Sequence, residues 1–239
     1  MRVLAVIPSR YESSRFPGKP LIDLAGKSMI QRVYEGVSKS NLISKIVVAT
    51  DDQRIVDEVI SFKGQVMMTS PEHVNGTGRC VEVCQQLENY DLVINVQGDE
   101  PLIQPKQLDI LIHAFEDPDV EIATLAMPNI SSDDIANPNR VKVVLDCNND
   151  ALYFSRSPIP NTEKTSESVS SFKHIGIYAF RRNALLETRK MKACSLEISE
   201  SLEQLRWMYF GKKIRVVETT IETPNIDSPA DVEKVLRLL

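Results

Sequence analysis

Val3-Leu4-Ala5-Val6-Ile7-Pro8-Ser9-Arg10-Tyr11-Glu12-Ser13-Ser14-Arg15-Phe16-Pro17-Gly18-Lys19-Pro20-Leu21 sets a short apolar run, closed by a proline, against a polar loop that carries three cations. A continuous apolar run of this length reads as a strand buried on both faces, and such strands belong to parallel sheets covered by helices. The loop is neither G-x-x-x-x-G-K-[ST] nor G-x-G-x-x-G, so P-loop ATPase and dinucleotide-binding readings lose their main support. Arg10, Arg15 and Lys19 have the chemistry to surround a polyphosphate with guanidinium forks and an ammonium. A solvated basic loop is the plainer alternative.

Outward from this stretch the first half repeats the pattern. Val3–Pro8, Lys45–Thr50, Gln65–Met68 and Leu92–Val96 read as strands, and Met29–Ser38, Asp52–Phe62, Arg79–Leu87 and Pro105–Phe115 carry apolar residues at helical spacing. In the second half Ile122–Met127, Val141–Leu145, Leu152–Ser155, His174–Phe180 and Ile214–Glu218 read as strands, and Leu196–Phe210 and Pro229–Leu239 as helices. The expected fold is α/β, with a mostly parallel central mixed sheet flanked by helices and a smaller antiparallel part in the second half. The serine-rich stretch Ser155–Ser171 reads as a surface loop, because strands resume on both sides of it. With no repeat and no break in composition, residues 1–239 read as one domain with halves at about 1–120 and 121–239.

The 239 residues hold 28 Lys and Arg against 33 Asp and Glu, a net charge of −5, so the bulk field repels nucleic acid and anionic membrane and any phosphate site must be local. No apolar run approaches the ~20 residues needed to cross a bilayer, and the chain is expected to be cytoplasmic. Cys80, Cys84, Cys147 and Cys194 form no C-x-x-C pair. Cys80 and Cys84 share a helix face, which buried thiols explain better than a soft metal does.

In open α/β sheets, ligands bind where strands end at their carboxyl edge. Polar groups stand at three such ends: Ser9–Arg10, Thr50–Asp51, and Gln97-Gly98-Asp99-Glu100. Any α/β protein has polar strand ends, so each taken singly is open to a structural reading. Asp227, by position, suits a helix N-cap before Ser228-Pro229. His174, in an alternating strand, reads alone as a core histidine. Tyr178, four residues on, shares its strand face, and the inward polar pair is more suggestive. Glu203 and Gln204 open a run that also fits the wet side of a helix.

Pro8-x-Arg10-x-x-x-x-Arg15-x-Pro17-Gly18-Lys19-Pro20-Leu21 resembles the signature of sugar nucleotidyltransferases with a Rossmann-like fold. The likeness continues through Val48-Ala49-Thr50-Asp51, Gly76-Thr77-x-Arg79, Asn95-Val96-Gln97-Gly98-Asp99-Glu100-Pro101, Val141-Lys142-Val143-Val144-Leu145-Asp146 and Ala151-Leu152-Tyr153-Phe154-Ser155-Arg156. It ends with His174-x-Gly176-Ile177-Tyr178, Leu202-Glu203-Gln204-Leu205-Arg206 and Asp227-Ser228-Pro229-x-Asp231. Over essentially the whole chain, in this order, these pieces resemble the cytidylyltransferases of 3-deoxy-manno-octulosonate (Kdo). The resemblance implies that CTP and a Kdo-type sugar acid give CMP-Kdo and pyrophosphate for the lipopolysaccharide inner core. It further implies a need for Mg2+ and a homodimer built through the antiparallel part.

Carried over by residue, the resemblance makes Arg10, Arg15 and Lys19 the triphosphate clamp, and Pro8, Ser9, Gly76, Thr77 and Arg79 the cytosine and ribose pocket. Gln97, Arg156, His174, Tyr178, Glu203 and Gln204 become the sugar pocket, with Arg156 on the sugar carboxylate. Asp99 and Asp227 become the Mg2+ ligands, and Arg10, Lys19, Asp99 and Asp227 the catalytic set. The nucleotide-binding half is then about 1–120 and the sugar-binding and dimerisation half about 121–239. Where the family pattern has Ser-Gly-Thr-Glu-Arg this chain has Asn75-Gly76-Thr77-Gly78-Arg79, which removes a carboxylate. The serine-rich stretch lacks the aromatic and acidic residues of usual members, leaving Kdo and its 8-amino-8-deoxy analogue both open. Gln97-Gly98-Asp99-Glu100-Pro101 disfavours a sialic-acid cytidylyltransferase, and the joint presence of Arg10, Lys19, Asp99 and Asp227 disfavours a non-catalytic nucleotide-binding homologue.

Overall fold

A computed structural model describes residues 1–12, 16–161, 171–226 and 228–239. Arg15, Asp227 and the centre of the serine-rich stretch lie outside the described residues. The chain forms two compact units, Met1–Asp109 with Thr223–Leu239, and Ile110–Glu222.

In the first unit, β1 (Val3–Pro8), β2 (Lys45–Thr50), β3 (Val66–Met68) and β4 (Leu92–Asn95) run parallel in the order β3-β2-β1-β4. Val3 through Ile7 are each at most 1% exposed, which an all-apolar strand with neighbours on both sides and helices on both faces requires. The connecting helices are α1 (Met29–Ser38), α2 (Gln53–Ser61) and α3 (Gly76–Gln86), with α4 (Pro105–His113) after β4. In α1 the buried residues Met29, Ile30, Val33 and Val37 follow the helical period, and full burial of such a side chain is worth roughly 1.5–3 kcal/mol. Each of the first three helices starts on a side-chain cap: Ser28 accepts from Gln31 N–H, Asp52 from Arg54 N–H and Asn75 from Gly78 N–H. From β1 the chain moves out through β2 to β3, then returns to the other flank of β1 as β4. That reversal opens a crevice beyond the carboxyl ends of β1 and β4.

In the second unit, β5 (Ile122–Pro128) pairs antiparallel with β8 (Phe172–Arg181) and parallel with β9 (Arg215–Glu218), while β6 (Lys142–Leu145) pairs antiparallel with both β7 (Ala151–Ser155) and β8. Its helices are α5 (Ser132–Ala136), α6 (Arg182–Thr188), α7 (Ser195–Glu200) and α8 (Gln204–Tyr209). The last helix, α9 (Pro229–Leu236), belongs to the first unit, where Val235 shares an apolar cluster with Leu24, Met29 and Ile226. Among the described residues no helix is long and apolar enough to cross a membrane.

Two expectations need correction. Leu196–Phe210 is not one helix: Ser201 takes a left-handed conformation at φ 53°, ending α7, and α8 starts afresh at Gln204. The third helix starts at Gly76 rather than Arg79, because the Asn75 cap recruits the glycines into the first turn. Two short helices, α5 and α6, were not anticipated; α6 follows β8 without an intervening loop.

Candidate functional site

The crevice beyond β1 and β4 is lined by Pro8, Ser9 and Arg10 after β1, Lys19, Pro20 and Met29 from the following loop and α1, Asn75, Gly76 and Arg79 from α3, and Gln97, Gly98 and Asp99 after β4. Every group comes from the carboxyl edge of the sheet or from a helix start, where unpaired backbone N–H groups and the helix dipole favour an anion. The backbones crowd closely here. A Cβ on Gly98 would stand 2.8 Å from the Pro8 carbonyl oxygen, so only glycine lets the loop after β4 lie against the end of β1.

Lys19 ties three segments together. Its Nζ donates to Asp99 Oδ2 at 2.7 Å and to the Ile226 carbonyl at 2.9 Å, and Ile226 N–H donates to the Asp99 carbonyl at 3.0 Å. The loop after β4 therefore meets the residue immediately preceding Asp227. The N-cap of α9 is Ser228, whose N–H and hydroxyl both donate to Asp231 Oδ2, so the capping role weighed for Asp227 has another holder. Beside Asp99, Glu100 is buried; burial first and the Asp99 charge second push its carboxyl up to about 8. It is neutral at neutral pH and adds no second anion. Asp99 is a partly exposed oxygen donor facing a cleft, which fits a hard cation that takes one or two carboxylates and completes its shell with phosphates and water.

Arg79 is 3% exposed and spent on protein partners, donating to Asp51 Oδ2 at 2.6 Å, Thr69 Oγ1 at 2.7 Å and the Ser70 carbonyl at 3.2 Å. It braces the ends of β2 and β3 beneath the cleft. Thr77 is buried in the first turn of α3 and is not part of the lining. Ser9 Oγ and Asn95 Oδ1 are buried and have no hydrogen-bond partner among the described residues, the condition of groups that a ligand or water satisfies.

The second unit gathers His174, Tyr178 and Gln204. The register of β8 against β5 jumps between Thr124↔Tyr178 and Leu125↔Ile175, so Gly176 and Ile177 are inserted opposite no partner. Two extra residues preserve the alternation, and the His174 and Tyr178 rings lie 5.3 Å apart. Thr124 Oγ1 spans the bulge, 2.8 Å from the Ile177 carbonyl and 2.9 Å from His174 Nε2. Its single proton goes to the carbonyl, so His174 Nε2 carries the proton that Thr124 accepts. Burial pushes the imidazole down to about 3, leaving it neutral. Burial, with the charge of Glu203, raises the Tyr178 phenol well above its ordinary value, and it stays a neutral donor. Tyr178 Oη, Gln204 Nε2 and Trp207 Nε1 are buried and have no hydrogen-bond partner among the described residues, and the Tyr178 and Trp207 rings meet edge-on at 5.0 Å.

Arg156 is partly committed to protein partners. Its guanidinium donates to the carbonyls of Glu200 at 2.7 Å, Pro138 at 3.0 Å and Ser201 at 3.4 Å, so three of its five N–H donors already have partners. Gln97 stands with the first-unit cleft. The residues that sequence reasoning missed are Asn75, Asn95 and Trp207. Asn75 had a readable signal, a capping residue directly before a Gly-Thr pair, whereas Trp207 is an ordinary core residue until its unpaired Nε1 is seen.

A family model described as cytidylyltransferase matches residues 4–214. A protein of Parabacteroides distasonis named 3-deoxy-manno-octulosonate cytidylyltransferase is 49% identical over 100% of this chain and 98% of its own length. One of the same name from Fusobacterium nucleatum is 48% identical over 100% and 97%. A solved structure of CMP:2-keto-3-deoxy-manno-octonic acid synthetase complexed with CTP superposes with a TM-score of 0.95 at 45% identity, covering 100% of this chain and 98% of that one. At 14% identity and a TM-score of 0.66, 4-diphosphocytidyl-2C-methyl-D-erythritol synthase of Anaerococcus prevotii shares the fold over 99% of this chain and 97% of its own.

Proposed function

The chain belongs to the cytidylyltransferase family, and from that premise we propose that it transfers the cytidylyl group of CTP to the anomeric hydroxyl of Kdo, releasing pyrophosphate. The observation that carries this reading is the Lys19–Asp99 pair at the sheet's switch point, in a chain nearly half identical to proteins named for that reaction. The sugar hydroxyl attacks the α-phosphorus in line, the bond from that phosphorus to the bridging oxygen breaks, and pyrophosphate leaves with the electron pair. Arg10 and Lys19, with Arg15 beyond the described residues, neutralise charge on the departing pyrophosphate. The N-terminus of α3, with Gly76 and the Asn75 cap, takes the nucleoside side, and the unpaired Ser9 and Asn95 oxygens are acceptors suited to the exocyclic amine of cytosine or a ribose hydroxyl. Asp99 and Asp227 would hold Mg2+, which would supply neutralisation of the triphosphate and polarisation of the attacking oxygen.

On the sugar side, Tyr178, Gln204 and Trp207 offer buried donors, unpaired among the described residues, to hydroxyl or carboxylate oxygens, His174 packs against Tyr178, and Glu203 completes the set. The two donors left on Arg156 take the sugar carboxylate. Cys80, Cys84, Cys147 and Cys194 are in no disulfide, in keeping with a cytoplasmic enzyme, and the product feeds the lipopolysaccharide inner core. Exposed Leu152 in β7, Leu196 and Ile198 in α7, Tyr209 at the end of α8 and Phe210 just after it support a homodimer formed through the second unit, where α8 contacts both β7 and α7 and Ser155 of β7 bonds Glu200 of α7. Incubation with CTP, Mg2+ and Kdo should release pyrophosphate, with little release when Kdo is omitted. No release from Kdo, or faster release with 8-amino-3,8-dideoxy-manno-octulosonate, would replace this assignment.

A further inference from the structure

We propose that His73 is a positioning residue for the nucleotide cleft, seated by the missing side chain of Gly78 and locked by Glu82; the proposal rests on reading the cleft as the CTP site. Residues 69–75 join β3 to α3 and deliver Asn75 and Gly76 to the lining. Beyond Thr69, which is anchored on Thr50 of β2 and on Arg79, this segment is pinned at three points by α3. Ser70 N–H donates to Glu82 Oε2 at 3.0 Å while its carbonyl accepts from Arg79, His73 Nε2 lies 2.5 Å from the same Glu82 oxygen, and Asn75 Oδ1 accepts from Gly78 N–H at 2.9 Å.

Gly78 is not needed for backbone conformation, since it lies inside α3 without a positive φ. In a helix, alanine is the better residue by propensity, so the glycine must answer to something else. A Cβ at position 78 would come 2.8 Å from His73 Nδ1 and 3.3 Å from Asn75 Oδ1. The imidazole thus fills the space that any side chain at 78 would enter, and the Glu82 bond keeps it from swinging away. Displacing His73 releases the middle pin and presses on the outer one, loosening the two residues that face the nucleotide.

The test is a double-mutant cycle on the full chain, with CTP affinity read by calorimetry alongside steady-state kinetics and thermal unfolding. Gly78→Ala should weaken CTP binding by about tenfold with turnover at saturating CTP within about threefold, while its melting temperature stays level or rises because alanine favours the helix. His73→Ala should weaken binding similarly, and adding Gly78→Ala to it should cost nothing more, since the clash then has no partner. His73→Gln, which keeps a donor for Glu82, should bind CTP within about threefold of the parent. Losses that multiply in the double variant, or a Gly78→Ala protein that binds CTP as the parent does, overturn the proposal. A parent protein that binds no CTP overturns the reading of the cleft as well, and the parent titration alone tells the two failures apart.

Discussion

Lys19 sits where two demands meet, neutralising Asp99 and facing the cleft with a cation on a part-buried stem. Lys19→Met keeps the apolar bulk of that stem and removes the charge. Turnover should fall by about 10²–10³-fold, the usual cost of losing one preorganised charge-stabilising donor, with a smaller change in CTP affinity. Steady-state kinetics would show the reverse pattern, affinity lost and turnover kept, if the lysine served ground-state binding alone. His174 gives a prediction of another kind. Its pKa drops from 6.5 in the unfolded chain to about 3 in the fold, so below pH 6.5 the unfolded state takes up a proton that the native state refuses. Its contribution to stability is complete above pH 6.5 and is lost as pH falls towards 3, at up to ~1.4 kcal/mol per pH unit. Urea unfolding between pH 7 and 5 should show a steeper decline for the parent than for His174→Gln, and equal slopes would mean that the imidazole titrates freely.

At the scale of elements, what could be read from sequence follows from whether the signal is local. The first two strands and first two helices were placed within a residue or so, because an apolar run with a breaker and a capped apolar stripe are properties of the segment itself. The break between α7 and α8 was not legible: serine is no marker of left-handed backbone, and the apolar spacing runs through it. Hydrogen bonds to two residues hold the break, since Leu202 N–H donates to the Glu197 carbonyl while Arg156 donates to the Glu200 and Ser201 carbonyls. A left-handed non-glycine residue costs ~1–2 kcal/mol, so Ser201→Gly should be neutral or mildly stabilising and the β-branched Ser201→Val destabilising by at least ~1–2 kcal/mol in denaturant unfolding. The site divides in the same way. Arg10 and Asp99 read from the sequence as polar residues closing buried strands and Lys19 as a cation of the loop after the first, whereas the contacts of His73 and Trp207 arise only from tertiary packing that no spacing encodes.

For the molecule as a whole, the open question is what covers the apolar side chains of the second unit. Isolated exposed apolar residues such as Ile60 and Val74 are ordinary surface, but Leu152 at 60%, Ile198 at 70% and Tyr209 at 60% exposure come from three elements in contact with one another, with Leu196 and Phe210 beside them in sequence. With a net charge of only −5, long-range repulsion between copies is weak, and burying this surface against a second copy removes it from water. The chain should therefore run as a dimer in size-exclusion chromatography with light scattering. Ile198→Glu would place a charge in the apolar contact and should weaken the dimer by at least tenfold, ~1.4 kcal/mol, while Ile60→Glu, an equally large change on an isolated site in α2, should leave it intact. A parent chain that is monomeric at tens of micromolar, or a dimer indifferent to Ile198→Glu, would remove this face from the interface. Because Leu196 and Ile198 lie on the helix whose end is bound by Arg156, the dissociated variant should also use Kdo less well while binding CTP normally, which the same calorimetric titration reads.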